Sequence, residues 1–175
     1  VLVGILKHQT LYDTPPMAGQ FKKFKEGPTL EAQIVDIADS LAYLNHDIDD
    51  GLTSGCISEG DLMESPLWQK AVVNIGPANP ANGGANTRRE MFKYQVVKEL
   101  IDMQVKDLLA ATDGRLTRMG SASSADVKKS KEALVGFSVP MRRQRDHLQG
   151  LLNERLYHHY RVERMTAKAR RIIHD

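Results

Sequence analysis

Residues Leu30 to Leu52 read LEAQIVDIADSLAYLNHDIDDGL. Apolar Leu30, Ile34, Ile37, Ala38, Leu41, Leu44, Ile48 and Leu52 recur at helical spacing, which predicts a long α-helix with one face turned to a core. Pro28, Thr29 and Glu31 give the start signal, and Gly51 with the Ser54-Gly55 pair gives the stop. On a wheel of about 100° per residue, Asp36, Asp39, Tyr43, His46, Asp47 and Asp50 fall within an arc of roughly 100° on the opposite side, shared only with Ala32. Four carboxylates on one face repel one another unless a cation or hydrogen-bond donors face them. Spacing alone leaves two readings open: a solvated acidic face, or a face that meets a metal ion.

The flanking sequence also reads as helix. Val1 to His8 has the pattern of a helix end, and Gln9 to Pro28 is a polar loop carrying the basic cluster FKKFKEG. Ser58 with Asp61 resembles a capping box that starts a short helix to about Glu64, which Ser65-Pro66 breaks. Leu67 to Val73, around Trp68, is a short amphipathic piece. Gly76 to Ala85 is a loop that joins helices rather than domains. A second long helix is predicted from Thr87 to about Thr112, with Met91, Tyr94, Val97, Leu100, Ile101, Val105, Leu108 and Leu109 as its apolar stripe. Gly114 to Ser124 reads as a polar connection, and Ser124 as the cap of a helix over Ala125 to Leu134. Pro140 suits a first helical turn of a segment running to about Tyr157, and a basic helix from Tyr160 or Arg161 to Ile173 follows. No strand pattern appears. The expected architecture is all-α, a bundle of about seven or eight helices.

The 175 residues carry a formal charge of +2, with 41% hydrophobic and 26% charged residues, the composition of an ordinary globular domain. No apolar run approaches the roughly 20 residues of a membrane span, and residues 1–10 lack a signal-peptide pattern, so a cytoplasmic protein without membrane association is expected. The single cysteine, Cys56, excludes an intrachain disulfide framework and a multi-cysteine zinc site. Charge is unevenly placed. Glu31 to Asp61 holds eight acidic residues and no Lys or Arg, whereas Met141 to Arg171 holds nine Lys/Arg against three acids. Either the two neutralise each other in the fold, or the basic end faces phosphates of a nucleotide or nucleic acid.

The string EAQIVDIADSLAYLNHDIDDGL closely resembles the signature helix of deoxyguanosine triphosphate triphosphohydrolase-like proteins of the HD superfamily. The resemblance continues through LVGILKH, SPLWQK, RREMFKYQVVKELIDMQVKDLL, ADVKKSKEALVGFS and ERLYHHYRVERMTAKARRIIHD, and so spans most of the chain. It implies that residues 1–175 form the C-terminal part of a single HD-type domain plus its C-terminal helical region. It implies a divalent metal, Mg²⁺ or Mn²⁺, whose last ligand matches Asp39. It implies further that Tyr43 stacks on a deoxyribose and that Asp47 accepts a hydrogen bond from the sugar 3′-hydroxyl. Residues spaced i, i+4 and i+8 lie about 6 Å apart along a helix, so this order suits metal, phosphate and sugar. The His46-Asp47 dipeptide is not the family's metal-binding His-Asp pair, since adjacent helical residues diverge by about 100°. The chain opens at Val1 inside an apolar stretch and is expected to be a fragment. The first histidine ligand, the His-Asp pair and the acid/base groups are expected upstream, and no catalytic residue is assigned within it.

In complete family members the resemblance implies hydrolysis of a deoxynucleoside triphosphate to deoxynucleoside and inorganic triphosphate. It also implies oligomers with regulatory nucleotide sites. Lys7 and His8 match a family element that approaches phosphate, although such residues equally serve as capping charges at a helix C-terminus. Arg88 and Arg89 oppose the dipole at the start of their helix, which suits a phosphate or acidic partner as well as plain solvent. Tyr157 and Tyr160 read as packing anchors, Arg161, Arg164, Arg170 and Arg171 as an interface or nucleotide-facing surface, and Met141, Met165 and Trp68 as core. The competing reading is a non-catalytic helical module that binds nucleic acid or a partner through the basic C-terminal helices.

Overall fold

Helix α1, Leu30–Ser54, begins where the sequence places it. Thr29 caps it, its Oγ1 accepting from the Ala32 amide at 3.4 Å and its carbonyl from the Gln33 amide at 3.1 Å. The computed structural model describes residues 27–76, 85–120, 123–130 and 132–174, with backbone alone at 85, 86, 88, 124 and 174. Among them the regular structure is all helical, with seven α-helices, one π-helical turn and no strand.

Leu41, Leu44 and Ile48 form the buried seam of α1. Ile34 and Val35 are exposed instead, and Ala38 with them. The first turns bury Ala32 and Gln33, so the inward face there is set by Gln33 rather than by the isoleucine. Its amide nitrogen donates to the Pro28 carbonyl at 3.2 Å, and its oxygen accepts from the amides of Leu134 at 2.8 Å and Val135 at 3.1 Å. A buried polar group satisfied on both ends costs little to bury. Gly51 is not the stop but a buried residue of the last turns; the helix ends at Gly55, whose φ of +68° suits glycine.

The short helix α2, Glu59–Leu62, has the expected capping box: the Ser58 hydroxyl accepts from the Asp61 amide, and the Asp61 carboxylate accepts from the Ser58 amide at 2.8 Å. Helix α3, Pro66–Ile75, is capped by Ser65 with Pro66 in its first turn, and buries Leu67, Trp68 and Ala71. Helix α4, Ala85–Met119, is longer than expected, passing straight through Gly114. Its seam also differs. Val96, Leu100 and Gln104 are fully buried, while Met91, Tyr94, Val105 and Leu109 are exposed. Apolar residues are spread around this helix, so periodicity alone does not select the inward face.

Helix α5, Ser124–Lys129, is capped one residue earlier than expected, by Ser123 in a second capping box with Asp126, and stops at Ser130 rather than Leu134. Leu134, Val135 and Phe137 then enter the core as irregular chain. Ser138 leads into α6, Val139–Leu152, and its amide and hydroxyl donate to Asp107 at 2.8 and 2.6 Å. Instead of running on as α-helix to Tyr157, the chain forms a π-helical turn, Asn153–Tyr157, before α7, Tyr160–His174.

By its internal contacts the chain divides into two compact units. One takes the described residues up to Tyr43 with Gln104–Ser138; the other takes Leu44–Met103 with Val139 onward. In the second, α3 and the π-helical turn both pack on α6. No helix among the described residues is long and apolar enough to cross a membrane.

Candidate functional site

The helical register of α1 puts Asp39, Tyr43 and Asp47 on one row, i, i+4 and i+8. Asp39 is half-buried, and Tyr43 presents its ring with 54% of its surface exposed. Of the supporting residues, Asp36 is half-buried and His46 and Asp50 are exposed.

Asp47 is half-buried and has a partner that the sequence did not disclose. The Tyr157 hydroxyl, at the end of the π-helical turn, donates to its Oδ2. The Gln149 side-chain amide on α6 donates to the same hydroxyl at 3.2 Å. Tyr157 is thus a hydrogen-bonding group as well as a packing residue. Asp47 and Tyr157 also line a cavity of about 460 Å³ with Asp50, Cys56, Arg161 and Met165. Cys56 is a free, half-buried thiol.

Asp49, outside the acidic stripe, meets the Lys93 ammonium at 2.8 Å, and the same nitrogen donates to the Thr53 hydroxyl at 2.8 Å. The hydrogen bond to Asp49 holds the Lys93 ammonium above its ordinary pKa, so it stays charged across the physiological range. Lys93 also stands 4.5 Å from the centre of the Tyr94 ring. Sequence reasoning missed this anchor because Lys93 carries no motif; opposite charge was its only signal. Arg89 pairs with Glu59 at 3.3 Å, so its acidic partner lies within the chain itself. Arg89 is largely solvated and Glu59 partly so, which makes the pair weak.

The side chain of Arg88, and Lys7 and His8 altogether, lie outside the described residues. Among the described residues no group of three or more His, Cys, Asp or Glu side chains is placed to hold a metal ion. Two expectations at the C-terminal end are corrected: Met165 and Tyr160 are 65% and 64% exposed, not core or anchoring residues. Helix α7 packs against the π-helical turn, and its basic residues Arg161, Arg164, Lys168, Arg170 and Arg171 are exposed.

Residues 135–175 match the model of a phosphohydrolase-associated domain. Over 175 residues, 99% of its length, the chain is 40% identical to a deoxyguanosinetriphosphate triphosphohydrolase-like protein of Geobacter sulfurreducens, of which it covers 44%. It is 41% identical over 174 residues to the protein of the same name from Ralstonia nicotianae, covering 98% of the chain and 43% of that relative. For the one from Bordetella pertussis the identity is 34% over 174 residues, 98% of the chain and 44% of the relative. The chain thus spans less than half the length of these relatives, and the resemblance carried by the acidic helix extends over nearly all of it.

Proposed function

We propose that the whole protein hydrolyses deoxynucleoside triphosphates to deoxynucleoside and inorganic triphosphate, in the cytoplasm, with α1 contributing one metal ligand and the sugar contacts. Water attacks the α-phosphorus, the bond from phosphorus to O5′ breaks, and the proton ends on the deoxynucleoside 5′-hydroxyl. The observation that carries this reading is the row Asp39, Tyr43, Asp47 on one helix of a chain related throughout to triphosphohydrolase-like proteins. An exposed tyrosine ring one turn from each of two half-buried aspartates suits a sugar bounded by phosphate on one side and its 3′-hydroxyl on the other.

The described residues do not complete a metal site by themselves: a catalytic ion needs several ligands and an open position, and this helix offers Asp39. When bound, a divalent ion supplies a polarised phosphate and a more acidic water. Asp39 to Ala in the whole protein is expected to lower release of inorganic triphosphate from dGTP by more than about 100-fold, beyond what disturbing an outer-shell partner does. Unchanged release in that variant overturns the assignment.

The exposed basic face of α7 favours one competing reading, a module that binds nucleic acid. Such binding would weaken steeply with salt and be indifferent to Asp39. Filter-binding titrations of the wild type and Asp39 to Ala at two salt concentrations separate the two readings. Regulatory nucleotides and homo-oligomer formation belong to the hydrolase reading, and an activation assay with a second dNTP tests the first of them.

A further inference from the structure

We propose that Tyr157 is a positioning residue: its hydroxyl fixes the Asp47 carboxylate so that one oxygen is presented to the 3′-hydroxyl of the substrate. The inference rests on the role proposed above for Asp47, and adds to it a residue 110 positions away.

Three successive residues of the π-helical turn are each tied to a different partner. The Arg155 guanidinium pairs with Asp61 at 2.9 Å and Glu64 at 3.1 Å. Leu156 is buried against Gly51, where an added Cβ would lie 3.3 Å from its Cδ1. Tyr157 reaches Asp47, one helical turn before Gly51 on the same face of α1. A regular α-helix rotates about 100° per residue, and the wider π turn shifts that phase. This turn therefore sets the direction of the phenol.

The proton positions follow from chemistry. An ionised carboxylate only accepts, so the Tyr157 hydroxyl spends its one proton on Asp47 Oδ2. Its oxygen also accepts, from the Gln149 amide at 3.2 Å. With Oδ2 held, the carboxylate loses its freedom to swing about its terminal bond, and Oδ1 is left for a substrate hydroxyl. Preorganisation of this kind improves binding by removing motion that the ligand would otherwise have to freeze.

The test compares dGTP with 2′,3′-dideoxy-GTP, which lacks the 3′-hydroxyl, using the whole protein with Mn²⁺. Tyr157 to Phe keeps the ring and removes only the hydroxyl. The expected result is a rise of about tenfold in KM for dGTP, the scale of one hydrogen bond, with kcat and the dideoxy kinetics moved less than about twofold. Adding Tyr157 to Phe to Asp47 to Asn should then cost nothing further. Gln149 to Leu should shift dGTP the same way by a smaller factor. Equal losses on both substrates, or no change on either, overturn the positioning role. If the wild type does not distinguish the two nucleotides, the sugar role of Asp47 fails and this inference falls with it. If it does distinguish them through Asp47 while Tyr157 to Phe is silent, only the inference fails.

Discussion

Asp61 shows how much one side chain can hold. It closes the capping box with Ser58 and receives the Arg155 guanidinium. The Ser58 hydroxyl, then the Ser58 amide, then Arg155 hold its carboxyl below the ordinary value of 3.8. A depressed acid stabilises the fold fully above its unfolded pKa, and that contribution is lost as pH falls through the lower folded value. Unfolding midpoints of the whole protein between about pH 5 and about pH 2 should therefore drop less steeply in Asp61 to Asn than in the wild type. Ser58 to Ala, which removes the cap itself, should cost about 1 kcal/mol at neutral pH by urea unfolding. This box was legible in the sequence because its partners are three residues apart. The Tyr157 bond to Asp47 and the Lys93 bond to Thr53, 110 and 40 residues apart, were not, because only the folded chain decides which distant side chains meet.

At the scale of elements, two glycines within helices behave oppositely. The sequence predicts a helix end at about Thr112 and a polar connection from Gly114, yet α4 continues through that weak helix former. The next residue explains why: Arg115 donates to the carbonyls of Leu134 and Phe137, at 3.4 and 2.8 Å, and also to that of Gly136. Those three bonds tie the last turns of α4 to the irregular chain Leu134–Phe137 and outweigh a propensity cost of about 1 kcal/mol. Nothing lies within 4 Å of an added Cβ at Gly114, so Gly114 to Ala should stabilise the protein by up to about 1 kcal/mol. At Gly51 the same change puts a Cβ 2.8 Å from Ile57 and 3.3 Å from Leu156. It should cost about 1–3 kcal/mol, and a thermal-shift comparison of the two variants checks the opposite signs. The exposed Ile34 and Val35 teach a related lesson: helical period predicts that a face exists, while packing decides which residues occupy it.

At the scale of the molecule, each compact unit takes two separate stretches of sequence, and α1 and α4 each contribute to both. The all-α class was legible because helical periodicity and capping are local signals. The candidate site was legible only in its α1 portion, because the described residues hold no cluster of metal-binding side chains and the relatives are more than twice as long. The acidic helix therefore has to be judged in the whole protein. If Asp39 is one ligand among several, stripping the metal with EDTA should abolish triphosphate release from dGTP, and added Mn²⁺ should restore it. Asp39 to Ala should then need at least about tenfold more Mn²⁺ for half-maximal release, or recover none, since even outer-shell changes weaken metal binding by that factor. An Mn²⁺ titration identical to the wild type's would place the metal elsewhere and return the acidic row to a solvated face.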